Sequence, residues 1–203
     1  FLFVDILTAA PSEGVMDVYI NLRERWYIWP MPIFELADRN FNEWWVRKDL
    51  SRTNYGLFLV KDNFRGRGEQ LQLLFRSGYS RRYGLYYNIP YINKNKTSGI
   101  NIQATYSRNH EIAFQSADNR LVFFKDKEQD VREELGILIG YNYRRNLYNT
   151  HTISSEFRKA HIADTIAQIN ADYFLNKDSS YQYIGITYKF KHDRRDIAAY
   201  PLK

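Results

Sequence analysis

Between Glu69 and Phe190 apolar side chains return at every second position, and that period commits the chain to β-strands rather than helices. Glu69 to Tyr79 puts Leu71, Leu73, Phe75 and Tyr79 on one face and Gln70, Gln72, Leu74, Arg76 and Gly78 on the other. Tyr83 to Ile92 repeats this through Tyr83, Leu85, Tyr87, Ile89 and Tyr91. Ile100, Ile102, Ala104 and Tyr106 then oppose Asn101, Gln103, Thr105 and Ser107. Leu135, Ile137, Ile139, Tyr141 and Tyr143 share a face, as do Ile153, Ser155 and Phe157, and finally Ile184, Ile186, Tyr188 and Phe190. Tyr55 to Asp62 is another strand, and Ile33 to Val46 reads as a first strand with a polar middle. Ahead of it, Phe1–Thr8 and Val15–Arg25 form a hairpin around Ala10–Gly14, and Pro30 and Pro32 are expected to stop any ladder. Helical periodicity is scarce; Asn119 to Glu134, the best candidate, is too polar to pack and reads as loop.

Alternation alone admits a soluble sandwich as well as a spanning sheet. The faces opposite the apolar ones carry Glu, Arg, Gln, Asn and Gly, which suit a wet lumen, and aromatic residues make up 17% of the chain. Connections alternate: Phe64–Gly68, Asn93–Gly99, Asn146–Thr150 and the run after Asp193 are short, whereas His110–Glu133 and the stretch around Asn176–Ser180 are longer. That rhythm belongs to membrane barrels, whose strands need only about 9–11 residues to cross. A mean hydropathy of −0.56 is compatible with this, because only alternate residues face lipid. The expected fold class is therefore all-β: an antiparallel transmembrane β-barrel, about eight strands of it from Ile33 onward, preceded over residues 1–30 by the end of a small α+β module. Phe1-Leu2-Phe3-Val4 reads as a strand rather than as a signal peptide, so the sequence is expected to begin inside a longer protein.

The net charge of +6 comes from Lys and Arg scattered through strands and turns, with no run that concentrates them, which argues against nucleic acid as a partner. There are no cysteines, hence no thiolate metal site. His110, His151, His161 and His192 lack metal-ligand spacing and read as loop or lumen residues. No catalytic, cofactor or metal constellation stands out, so the chain is expected not to be an enzyme.

Asp62-Asn63-Phe64-Arg65-Gly66-Arg67-Gly68 is similar to the turn after the second barrel strand in the BamA/TamA superfamily of outer-membrane assembly factors. Asn88-Ile89-Pro90-Tyr91 resembles the end of its fourth strand, with an Ile inserted before the proline. Asp193-Arg194-Arg195-Asp196 with Pro201 resembles a later turn, and Glu24-Arg25 the end of the last polypeptide-transport-associated (POTRA) module. Arg25 to Trp45 looks like the version in Bacteroidetes-type members. The family's Val/Ile-Arg-Gly-aromatic lumen motif is absent, and family barrels have sixteen strands, so residues 31–203 are expected to be the first half of such a barrel; a complete eight-stranded barrel is the alternative.

The resemblance implies a non-enzymatic factor in the bacterial outer membrane, its N-terminal part periplasmic, that inserts barrel proteins through a lateral seam. Arg39, Asn40, Phe41, Asn42, Glu43, Trp44 and Trp45, on the poorly patterned first strand, would form the substrate-pairing edge, with Trp44 and Trp45 as interface anchors. Implied partners are nascent outer-membrane proteins, outer-membrane lipids and accessory lipoproteins, with no cofactor. A related exporter, a barrel anchoring a fused enzyme, and a passive porin are the alternatives.

Overall fold

The computed structural model describes residues 3–12, 14–37, 45, 50–126, 129–175 and 177–195. A hairpin comes first: β1 (Phe3–Ser12) pairs antiparallel with β2 (Val15–Arg23), with Ser12 opposite Val15. The principal sheet follows. It holds eight antiparallel strands, the number expected from the alternation: β3 (Ile28–Leu36), β4 (Thr53–Phe64), β5 (Glu69–Gly78), β6 (Ser80–Ile89), β7 (Ser98–Asn109), β10 (Arg132–Arg144), β11 (Asn149–Ile162) and β12 (Ser180–His192). Each pairs with its predecessor in that order, so β3 and β12 are the edges and the sheet is open among the described residues.

Register carries one face across all eight strands. Leu59, Leu73, Leu85, Ala104, Ile137, Phe157 and Ile184 stand in one row, and Leu57, Phe75, Tyr83, Tyr106 and Leu135 in a neighbouring one. Among the described residues nothing covers this face. Ile139 is 56% exposed, Ile184 72%, Ile186 75% and Tyr188 63%. The opposite face is polar and tied by ion pairs: Glu134 accepts from Arg132 at 2.7 Å and from Arg158 at 2.9 Å, and Arg158 also reaches Glu156 at 2.6 Å. An apolar face this wide on every strand has no place in water, and its polar reverse has none in lipid. At ~3.3 Å per residue and ~40° tilt, the 13 residues of β10 cover roughly 33 Å, enough for a hydrocarbon core.

The structure corrects the sequence reading in several places. Pro30 and Pro32 do not stop the ladder; they lie inside β3, paired with Leu59 and Leu57. The first strand is accordingly Ile28–Leu36, not Ile33–Val46, and a boundary at residue 30 falls within it. The segment His110–Glu133 is not a plain loop: β8 (Glu111–Ala117) and β9 (Arg120–Lys125) form a separate hairpin, turned by Asp118 and Asn119, both at positive φ. A short helix, α1 (Asp164–Ile169), precedes β12. The short-and-long rhythm holds except between β5 and β6. There Tyr79 alone makes the link, and Gly78 at φ +108 brings its Cα against the Thr53 carbonyl.

The long connections after β7 and β11 meet at one end and supply the chain's one compact apolar core among the described residues: Ile112, Val131, Ile162, Ile166 and Ala167, flanked by Phe114, Phe124, Tyr173 and Phe174. The Asn170 side chain pins α1 to the hairpin through the Phe114 carbonyl at 2.5 Å. Burial is thus concentrated in the cap while the sheet's apolar face stays bare. In the full-length protein, Ile139→Arg at mid-strand is expected to cost about 2–4 kcal/mol of folding free energy into phosphatidylcholine vesicles. Gln103→Arg on the polar face is expected to change it by no more than about 0.5 kcal/mol. Equal losses in urea titrations would mean that neither face meets lipid.

Candidate functional site

The open edge of β3 is built by hydrogen-bond parity. The Asp62 N–H donates to the Tyr27 carbonyl and the Ala37 N–H to the Arg52 carbonyl, both at 2.8 Å. Odd-numbered residues of β3 therefore bond to β4, and Ile28, Pro30, Pro32, Phe34 and Leu36 turn their backbone groups outward. Two of those five outward positions have no N–H. A third is partly occupied, because the Trp26 indole N–H donates to the Ile28 carbonyl. Full donor and acceptor pairs begin only at Phe34 and continue at Leu36. The far edge is different: Ile162 N–H donates to the Ser179 carbonyl and Asp193 N–H to the Tyr148 carbonyl, so Gln182, Ile184, Ile186, Tyr188 and Phe190 face outward on β12 with every N–H present.

The turn motifs gather at the other end from the cap. Asn63 (φ +50), Gly66 (+72) and Gly68 (+71) shape the β4–β5 turn, and the Asn63 side chain accepts from the Gly68 N–H at 2.9 Å. Asp62 holds three things at once: its backbone N–H meets Tyr27, and its carboxylate meets Arg25 and the Gln70 amide. Glu69, almost wholly buried, accepts from Arg65 at 2.9 Å, Arg67 at 2.8 Å and the Tyr87 hydroxyl at 2.5 Å. At the end of β6, Asn88 pairs with Asn101, and Pro90 backs onto Gly99 so closely that a side chain there has no room. Tyr91 lies between Lys96 and Arg144, 5.9 and 5.8 Å from its ring centroid. Asp193 is gripped by Arg195 at 2.8 Å and Lys191 at 3.0 Å, and the Arg195 guanidinium, with Lys191 second, holds its carboxyl well below the usual carboxylate range.

Of the expected first-strand residues, Arg39, Asn40, Phe41, Asn42, Glu43 and Trp44 lie outside the described residues, as do Asp196 and Pro201; Trp45 is exposed. His151, expected in a loop or the lumen, sits instead on the apolar face, its Nδ1 2.8 Å from the Tyr188 hydroxyl and its ring against Phe190. His110 lies beside Asp130 at 3.3 Å, within the loop-end network that includes Arg108. Sequence reasoning missed the proline edge, whose signal was two prolines at i and i+2, the spacing that places both on one side of a strand. It also missed Glu69 as the anchor of the Arg65–Arg67 turn.

An eight-stranded meander with a bare apolar face and an ion-paired polar one has the architecture of a spanning β-sheet. No protein-family model matches the chain, and no curated protein does. Among solved structures the chain is similar to BamA from Haemophilus ducreyi lacking POTRA domains 1–3, with a TM-score of 0.51 at 14% identity over 98% of this chain. It spans 36% of that structure's chain, so the fold is that of a part of a BamA-like barrel.

With a strand paired against this edge, as closure of the sheet in the full-length protein requires, supplying both donors through Pro30→Val and Pro32→Val is expected to slow exchange of the outward Ile28 and Phe34 amides several-fold. Each added bond contributes about 0.5–1.5 kcal/mol. Unchanged exchange would show that no strand lies against this edge.

Proposed function

We propose that the chain is the leading part of an outer-membrane assembly factor that folds and inserts β-barrel proteins at the β3 edge, without catalytic residue or cofactor. The observation that supports this most directly is the asymmetry of the two sheet edges. An edge with missing donors makes a weak permanent seam, yet Phe34 and Leu36 remain able to pair, and they lead toward Arg39–Glu43. An incoming strand would add there by β-augmentation, its backbone groups supplying affinity that does not depend on sequence. In hydrocarbon an unsatisfied carbonyl costs several kcal/mol, so an opened seam captures a strand strongly while the proline gaps keep release accessible. Nascent outer-membrane proteins are the substrates on this reading, with accessory lipoproteins and outer-membrane lipids as further partners. The likeness to BamA and the turns around Asp62–Gly68, Asn88–Tyr91 and Asp193–Arg195 support the same assignment.

Photocrosslinkers placed at Phe34, and at positions from Arg39 to Glu43, in the full-length protein are expected to capture nascent barrel proteins during assembly. A crosslinker at Ile28, beside the proline gaps, is expected to yield several-fold less. Crosslinks only to the protein's own last strand while assembly is running would overturn the proposal.

A further inference from the structure

The cations that are scattered along the sequence converge in space. The short connections after β4, β6, β10 and β12 all lie at one end of the sheet. Within residues 62–69, 90–97, 144–149 and 191–195 they carry nine Lys or Arg against three acidic residues, and Asp62, Glu69 and Asp193 are each already bound to arginine. The described residues of the links 110–131 and 163–179, at the other end, carry three Lys or Arg against seven acidic, and the arginines beside them, Arg52, Arg108 and Arg132, are each paired with a carboxylate. Lys94, Lys96, Arg144, Arg145 and Arg194 are all exposed and have no carboxylate partner among the described residues.

Three of these cations lie over aromatic rings. Lys96 and Arg144 flank Tyr91, and Arg194 lies 5.7 Å from the Tyr148 ring centroid. The turn tips beside them are apolar and outward: Ile92 is half exposed and Leu147 is 83% exposed. A tip in the headgroup layer accounts for Leu147 and Ile92 standing among lysines and arginines together with Tyr91 and Tyr148, because apolar and aromatic groups enter the acyl boundary while the cations remain at the phosphates. The belt is also continuous with the bare apolar face through Tyr141, Tyr143, Tyr188 and Phe190 at the same strand ends.

We propose that the short-turn end of the sheet is a docking belt for anionic phospholipid headgroups, centred on Lys96, Arg144 and Arg194. Charge complementarity and the exposed apolar tips select a lipid over an acidic protein surface, which would match the cations but leave Ile92 and Leu147 bare. The inference rests on the spanning reading of the sheet and is independent of what the barrel assembles.

The test uses the full-length protein folded into phosphatidylcholine vesicles that contain a small share of spin-labelled phosphatidylglycerol or spin-labelled phosphatidylcholine. The motionally restricted fraction is expected to favour phosphatidylglycerol several-fold, up to the order of tenfold, and to lose that preference as salt is raised. The combined Lys96→Gln, Arg144→Gln and Arg194→Gln variant is expected to bring the ratio close to one. Lys96→Arg and the loop-end pair Arg120→Gln and Lys177→Gln are expected to leave it in place. Equal association of both lipids, or a preference that survives the triple change, would overturn the proposal. So would a preference erased by inorganic phosphate but not by chloride of equal ionic strength, since that would mark a site for the free anion. A protein that fails to enter the vesicles at all would overturn the spanning reading itself, an outcome distinct from insertion without lipid preference.

Discussion

Register is the constraint on which the rest of this molecule depends. From β3 to β12 the strands pair without a crossover, and the Leu59–Ile184 row shows that side-chain polarity follows the pairing from β4 to β12, with Pro30 of β3 opposite Leu59. A slip of one residue in β12 would bring Thr187 and Lys189 to the apolar face and send Ile186 and Tyr188 to the polar one. In water the ladder itself contributes modestly, about 0.5–1.5 kcal/mol per bond. In hydrocarbon it is obligatory, because no solvent can satisfy a backbone group that the ladder leaves free. The same bonds are therefore weak stabilisers in one medium and a strict condition in the other. That is why the buried apolar core can be as small as the Ile112–Ile166 cap without the sheet being implausible.

A sheet held by its ladder is most vulnerable where the ladder ends, and the two ends of this one differ chemically. β12 offers an outward row with all its donors; β3 offers one interrupted by Pro30 and Pro32 and partly covered by Trp26. Prolines on an edge usually serve to prevent unwanted pairing. Here they occupy only the half of β3 nearest the short turns and leave Phe34 and Leu36 competent. The edge is graded rather than blocked, and under the proposed function that gradient gives an incoming strand a place to begin.

The sheet was legible because its signal is local and repeated: Ile100–Ser107 or Glu134–Tyr143 announces a strand from eight or ten residues, and tertiary contact cannot alter which side each side chain takes. Where reading failed, the decisive information was not in the window. Pro30 and Pro32 looked like breakers because proline lacks a donor, yet whether the missing donor matters depends on which neighbour the strand has. The β8–β9 hairpin was hidden by the polar run after Phe124, and its apolar residues Ile112, Phe114 and Phe124 acquire meaning only against Ile162 and Ile166, roughly forty to fifty residues away. With six residues, α1 is too short to show a helical period at all. The turn motifs fared better, since Asn63, Gly66 and Gly68 dictate their own backbone angles.

Charge is the clearest case of information carried by topology rather than by sequence. Lys and Arg at Arg65, Lys96, Arg144 and Arg194 are separated by about thirty to fifty residues, and any running average along the chain dilutes them. An antiparallel meander returns to the same end every second connection, so residues two strands apart become neighbours. The relevant period for charge is thus the hairpin pair, not the residue. Seen at that period, the short connections after β4, β6, β10 and β12 are net positive, while the described residues of 110–131 and 163–179 at the other end are net negative. A spanning sheet keeps charge on its outward face close to its ends, as Lys159 stands opposite Leu135 near the loop end of β11. The asymmetry must therefore be expressed at the two rims, where the protein meets the two surfaces of a bilayer.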